Sequence, residues 1–207
     1  MTKHASIPLA LMLAVFGTLS LGCGDDDSGS SGSGGSGDGV MVFVTSGRAD
    51  GDFGGIAGAD ALCTAYARSV GLSGSWVAWL SATNGPLHAK DRILDAEYRL
   101  VDGTTVVASD KAQLTTPGVD LDNAISMDEK GDTVAADVFV WTGTGNEGLN
   151  LEPNCIDWSR AQAGDMGRIG DATDSRDPFW TDIGTGSIVD CDEMARLYCF
   201  SDDLVTF

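Results

Sequence analysis

Val40-Met41-Val42-Phe43-Val44-Thr45-Ser46-Gly47 and, after a glycine-rich connection, Gly58-Ala59-Asp60-Ala61-Leu62-Cys63-Thr64-Ala65-Tyr66-Ala67-Arg68-Ser69-Val70-Gly71 carry the clearest local signals in the chain. The first run is β-rich and closes on Ser46-Gly47, which predicts a strand opening the domain. In the second, Ala59, Leu62, Cys63, Tyr66, Ala67 and Val70 recur at i, i+3, i+4, i+7, i+8 and i+11, the stripe of an amphipathic helix ended by Gly71. Strand followed by helix sets the expectation of an α+β domain, with Cys63 on the buried helical face.

Downstream, Trp76-Val77-Ala78-Trp79-Leu80 reads as a strand. Tyr98-Arg99-Leu100-Val101 and Thr104-Thr105-Val106-Val107-Ala108 flank Asp102-Gly103, a hairpin signal. Val138-Phe139-Val140-Trp141 and Leu197-Tyr198-Cys199-Phe200 are further short strands. Between Gly143 and Val189 the chain is rich in Gly, Asp, Asn and Thr, and a long loop region of this kind is either functional or cross-linked. The five tryptophans, Trp76, Trp79, Trp141, Trp158 and Trp180, fall mostly in these apolar runs, and at least three are expected in the core.

Toward the N-terminus, Lys3 and His4 precede an apolar stretch from Ala5 to Leu21 that ends at Cys23, the make-up of a secretory signal peptide over residues 1–22. Leu19-Ser20-Leu21-Gly22 before that cysteine resembles the lipobox of bacterial lipoproteins, which predicts acylation of Cys23. Residues 23–39 are then a lipidated cysteine and a Gly/Ser/Asp linker with no apolar side chain to bury. A flexible coil of that length spans roughly 20 Å, enough to clear lipid headgroups as a disordered tether. The globular domain occupies 40–207, a size able to bury its own core. The expectation is an exported protein held to the bacterial cell envelope by lipid, at the outer membrane.

Five cysteines in an exported chain leave one unpaired unless something consumes it, and acylation would consume Cys23. Cys63, Cys155, Cys191 and Cys199 remain, an even set for two disulfides in an oxidising compartment. Four cysteines allow three connectivities, and spacing does not choose between them. A bridge from Cys155 to Cys191 would restrain the late loop region, and one from Cys63 to Cys199 would join the helix to the last strand. On the chain-entropy model those closures are worth roughly 4 and 5 kcal/mol.

The formal charge is −19, and loss of residues 1–22, whose one charged residue at neutral pH is Lys3, takes it to −20. Nucleic acid, heparin-like polyanions and bare anionic lipid are poor partners for a chain of that charge. A Ser-His-Asp triad would have to use His88, no Gly-x-Ser-x-Gly elbow is present, and no His-Glu-x-x-His zinc motif occurs, so the domain is not expected to be an enzyme. Asp165, Asp171, Asp174, Asp177 and Asp182 lack EF-hand spacing and read as solvated loop acids.

Across Val40 to Ser201, an ordered series of blocks resembles the endostatin-like branch of the C-type-lectin-like fold. They are Val42-Phe43-Val44-Thr45-Ser46, Gly58-Ala59-Asp60-Ala61-Leu62-Cys63, Gly71-Leu72-Ser73-Gly74-Ser75-Trp76, Ala78-Trp79-Leu80-Ser81, Asp91-Arg92, Val140-Trp141-Thr142-Gly143-Thr144, Cys155-Ile156-Asp157-Trp158, Trp180-Thr181 and Leu197-Tyr198-Cys199. More closely, they resemble a bacterial family of secreted or lipid-anchored proteins built on that domain. The resemblance implies a single domain with nested bridges, Cys63 with Cys199 and Cys155 with Cys191. It also implies a binding or adhesion role, since some related surface lipoproteins bind extracellular-matrix or serum proteins of a host. Endostatin holds zinc with histidines and heparin with arginines, but this acidic domain has only His88, so neither is implied here.

Sugar-binding C-type lectins hold calcium with a Glu-Pro-Asn motif and a later Trp-Asn-Asp motif, because a hard cation needs converging oxygens. Glu152-Pro153-Asn154 and Trp180-Thr181-Asp182 occur here in the same order, with Thr181 in place of the asparagine. Glu152, Asn154 and Asp182 are therefore the candidate calcium ligands of an alternative, carbohydrate-binding reading, beside a protein ligand without cofactor and an envelope-structural role. Replacement C23S is expected to move the protein from the detergent phase to the aqueous phase in cell fractionation; unchanged membrane retention would contradict acylation.

Overall fold

The computed structural model describes residues 37–84 and 87–207, so the expected signal peptide over residues 1–22, Cys23 with its expected acylation, and most of the expected linker lie outside the described residues. The domain is mixed α+β, dominated by two sheets. Strand β1 (Asp38–Val44) leads into helix α1 (Ile56–Ser69), β2 (Trp76–Ala78), a 3-10 turn (Ala89–Arg92), β3 (Glu97–Leu100), β4 (Val106–Ala108) and α2 (Lys111–Thr115). Then come β5 (Phe139–Trp141), the short turn α3 (Cys155–Trp158), β6 (Met166–Asp171), β7 (Ile188–Asp190), β8 (Tyr198–Ser201) and β9 (Val205–Thr206). The larger sheet runs β2-β8-β1-β3-β4 with β9 also on β1, and the smaller runs β5-β6-β7. Among the described residues no helix is long and apolar enough to cross a membrane.

The near-continuous apolar run of β1 is explained by burial on both faces. Val40, Val42 and Val44 enter one core cluster with Trp79, Tyr98, Trp180 and Phe200. Phe43 points the other way, into a second cluster with Ala59, Cys63, Ala67, Trp141 and Trp158. Each such side chain contributes about 1.5–3 kcal/mol by removal from water. Central position follows: β1 pairs parallel with β3 and antiparallel with β8, bringing the last strands beside the first.

Helix α1 packs on β2 and β8 through Ala59, Cys63 and Ala67, all fully buried. Val70, at the end of the predicted stripe, is exposed and caps the helix rather than packing. The Asp102-Gly103 hairpin forms between β3 and β4, with Asp102 Oδ1 accepting the Thr104 and Thr105 amides at 2.9 Å each. All five tryptophans are buried. Disulfides join Cys63 to Cys199 and Cys155 to Cys191, with Cα–Cα distances of 5.5 and 5.6 Å.

The loop region 143–189 holds more order than its composition suggests, because it contains β6. Two glycines hide that strand from a propensity reading, and both are there for space. A Cβ at Gly167 would lie 2.6 Å from Cys155 Sγ and 2.7 Å from the Trp141 ring, and one at Gly170 would lie 2.2 Å from the Trp180 carbonyl oxygen.

Tyr98 and Tyr198 are fully buried, their hydroxyls donating to the carbonyls of Leu94 and Trp180. Burial pushes both phenols well above their ordinary range, reinforced by Asp95 and Asp110 for Tyr98 and by Asp171 and Asp174 for Tyr198. The folded chain thus keeps both protonated where the unfolded chain would release protons near pH 10. Stability is held below that pH and falls as pH rises past it. The urea midpoint is expected to drop between pH 9 and pH 11, without the tyrosinate absorbance of these two residues before unfolding; their ionisation in the folded protein would contradict it.

Candidate functional site

Cys155, Ile156, Asp157 and Trp158 have φ of 52, 54, 56 and 62°, four consecutive non-glycine residues in the left-handed region. The turn is closed by amides of Trp158 and Ser159 donating to the carbonyls of Asn154 and Cys155, at 2.9 and 3.2 Å. A left-handed conformation costs about 1–2 kcal/mol per L-residue, and β-branched Ile156 is an unusual occupant. Such a segment persists only when its surroundings over-determine it.

Three contacts do so. Cys155 is fixed by its bridge to Cys191. Trp158 is fully buried, its indole N–H donating to the Ser81 carbonyl at 2.8 Å. The Trp158 carbonyl accepts the amides of Phe53 and Gly55, at 3.0 and 2.8 Å, in the approach to α1. Outer residues bury inward while the middle two project: Ile156 is 54% exposed, and Asp157 reaches the chain after β2.

Asp157 Oδ1 accepts the Thr83 amide at 2.5 Å, and the Asn84 side-chain amide donates to Asp157 Oδ2. Thr83 Oγ1 donates to Glu152 Oε1 at 2.7 Å and accepts from Asn154 Nδ2 at 3.0 Å. Asn154 Oδ1 in turn accepts the Asp157 amide at 3.0 Å. Thr83, Asn84, Glu152, Asn154, Ile156 and Asp157 line an open cleft of about 430 Å³. With Asp165, which also lines it, three carboxylates, two amides, a hydroxyl and the exposed apolar side chain of Ile156 are thereby gathered at one place. Beside it, His88 Nδ1 accepts the Asn150 amide at 3.0 Å, and Asn150 Oδ1 is buried without a hydrogen-bond partner.

Glu152 and Asn154, singled out from the sequence, are brought together; Asp182 is not among the residues lining this cleft. It pairs instead with Arg168, Nη1 to Oδ1 at 3.0 Å, in a half-buried position. Arg168 also donates to Ser187 Oγ at 2.6 Å and to the carbonyls of Leu151 and Glu152, at 3.2 and 3.0 Å. Asp182 therefore supports the Glu152 segment through Arg168 rather than facing the same ligand as Glu152. Asp157 occupies the cleft in its stead, and the signal for it was an acid inside the Cys155-Ile156-Asp157-Trp158 block.

The other loop acids are individually engaged rather than merely solvated. Hydrogen bonding from Arg160 holds the Asp165 carboxyl below its usual range, and Arg176 does the same for Asp174. Asp171 accepts from Thr173, and Asp177 accepts the Gly118 amide. Among the described residues no group of three or more His, Cys, Asp and Glu is placed to hold a metal ion.

A family model described as Protein of unknown function (DUF1554) matches residues 46–175, most of the chain. The chain belongs to that family. No curated protein matches it. The stretch shared with the family contains α1, the Thr83 segment and the left-handed turn, but ends before Cys191 and Cys199. Family membership thus covers the cleft residues, while both bridges reach outside it.

Replacement I156G relieves left-handed strain of about 1–2 kcal/mol and adds unfolded-state freedom worth about 0.5–1 kcal/mol. A net gain of about 0.5–1 kcal/mol in urea denaturation is expected, since the lost side chain is half exposed. A loss of stability would show that Ile156 packs rather than projects.

Proposed function

We propose that this domain is a non-catalytic binding and adhesion module for protein ligands of the extracellular-matrix or serum type, built on a C-type-lectin-like, endostatin-like architecture. In this reading lipidated Cys23 and the linker display it on the bacterial cell envelope. The observation that carries the proposal is the left-handed turn at Cys155–Trp158. It spends backbone strain to hold exposed Ile156 beside Asp157 and Glu152, which serves recognition better than it serves packing. The sequence resemblance and the engagement of His88 Nδ1 by a backbone amide support the same reading. With the formal charge falling from −19 to −20 on loss of residues 1–22 and Lys3, the partner must present a basic patch, and association must weaken with salt.

A second reading is calcium-dependent glycan binding at Glu152 and Asn154, with Asp157 taking the place expected of Asp182. It is favoured by the carboxylates of Glu152 and Asp157 and two amides at one cleft, the hard oxygen donors calcium takes, with a third lining carboxylate, Asp165, already paired with Arg160. Calcium would have to displace the Thr83 and Asn84 donors from Asp157.

The full chain is to be assayed against immobilised matrix and serum proteins across ionic strength, and against a glycan array with and without calcium. Salt-sensitive protein binding that falls several-fold in I156G, with a calcium-independent silent array, is the expected result. Calcium-dependent glycan hits lost in D157A would put the lectin reading first.

A further inference from the structure

Strand β7 ends the smaller sheet, and its register shows which way its backbone groups point. The Ile169 amide donates to the Ser187 carbonyl at 2.7 Å and the Cys191 amide to the Asp165 carbonyl at 2.8 Å. Hydrogen-bonded pairs alternate along an antiparallel ladder, so Val189 faces Gly167 in such a pair and the intervening residues do not. The N–H and C=O of Ile188 and the N–H of Asp190 therefore point off the free edge. The Asp190 carbonyl is already taken by the Glu193 amide at 3.1 Å. An edge with unpaired groups is a template for another strand.

Next to this edge lies a groove of about 360 Å³, with buried Ile169 and Ala195 at its base. Phe139, Ile188 and Met194 line it while 47, 44 and 50% exposed, an apolar cluster of the kind that marks interaction surfaces. Asp190 and Glu193 also line it, with exposed Asp192 adjacent, and none of the three forms an ion pair among the described residues.

We infer that β7 and this groove dock an extended segment of a partner protein in which apolar residues alternate with Lys or Arg. The added strand satisfies the Ile188 and Asp190 backbone groups, its apolar side chains enter between Phe139 and Met194, and its cations face Asp190, Asp192 and Glu193. Charge selects this occupant. A second copy would bring the same acids to the same edge, and residues 24–39 of this chain offer Asp and Gly but no apolar side chain or cation. The groove does not depend on what the Ile156 cleft takes, although Met166 lines both.

The test is selection of a random phage-displayed peptide library, about twelve residues long, on the full chain. Enriched peptides should alternate apolar and basic residues, and M194D or N-methylation of alternate peptide bonds should weaken them at least about tenfold. Bound peptide should slow hydrogen exchange of the Ile188 amide, which should exchange rapidly without it. Met194 is half exposed, so M194D leaves the core intact, and the N-methylated peptides leave the protein untouched. No enrichment, or selected peptides indifferent to M194D and to N-methylation, overturns the inference. Ile188 protection that rises with protein concentration alone assigns the edge to a second copy and overturns the choice of partner.

Discussion

Burial of β1 on both faces is the constraint to which the rest of the domain answers. A strand with valines on one side and Phe43 on the other leaves no face for water, so both sides must be covered by other parts of the chain. On the Phe43 side the cover is α1 with Trp76, Trp141 and Trp158; on the valine side it is Trp79, Tyr98, Trp180 and Phe200. Because β8 must lie against β1 to complete the sheet, the last strands come home beside the first, and the Cys63–Cys199 bridge ties α1 to that pairing. Aromatic contacts follow the same division, with the Trp79 and Trp180 rings 5.1 Å apart on one side and Trp141 and Trp158 6.0 Å apart on the other.

That rigid base is what allows a strained turn to exist at the surface. Left-handed Ile156 and Asp157 gain little burial of their own, and the turn holds because its two ends, Cys155 and Trp158, are locked into the second core. Strain supported in this way fixes Asp157 against the Thr83–Asn84 segment, where its carboxylate accepts the Thr83 amide and the Asn84 side-chain amide. Arg168 does comparable work one layer down, using one guanidinium to join Asp182, Ser187 and the carbonyls of Leu151 and Glu152. Both faces of interest, the Ile156 cleft and the β7 groove, flank β6, whose glycines let the Cys155 sulfur and the Trp180 backbone approach closely.

What the sequence determined by itself was whatever local periodicity and composition can encode. The β-rich apolar run Val40–Val44 and the Asp102-Gly103 hairpin appear where their patterns place them, and of the stripe Ala59, Leu62, Cys63, Tyr66, Ala67 and Val70 all but the exposed Val70 pack inward, because each signal lies within a few residues. Asp157 and β6 were not legible in the same way, and Asp182 pointed toward a site it does not line. The left-handed geometry at Cys155–Trp158 comes from no local preference of the run as a whole, since Asp157 tolerates positive φ but Cys155, Ile156 and Trp158 do not favour it. It is imposed by a sulfur bonded 36 residues away and an indole buried against Ser81. The glycines of β6 read locally as breaks, and only packing against Trp141, Cys155 and Trp180 shows them to be spacers. Side-chain partners drawn from distant segments, such as Arg168 for Asp182, depend on which strands become neighbours, and that is decided by closing the core around β1 rather than by any short stretch of chain.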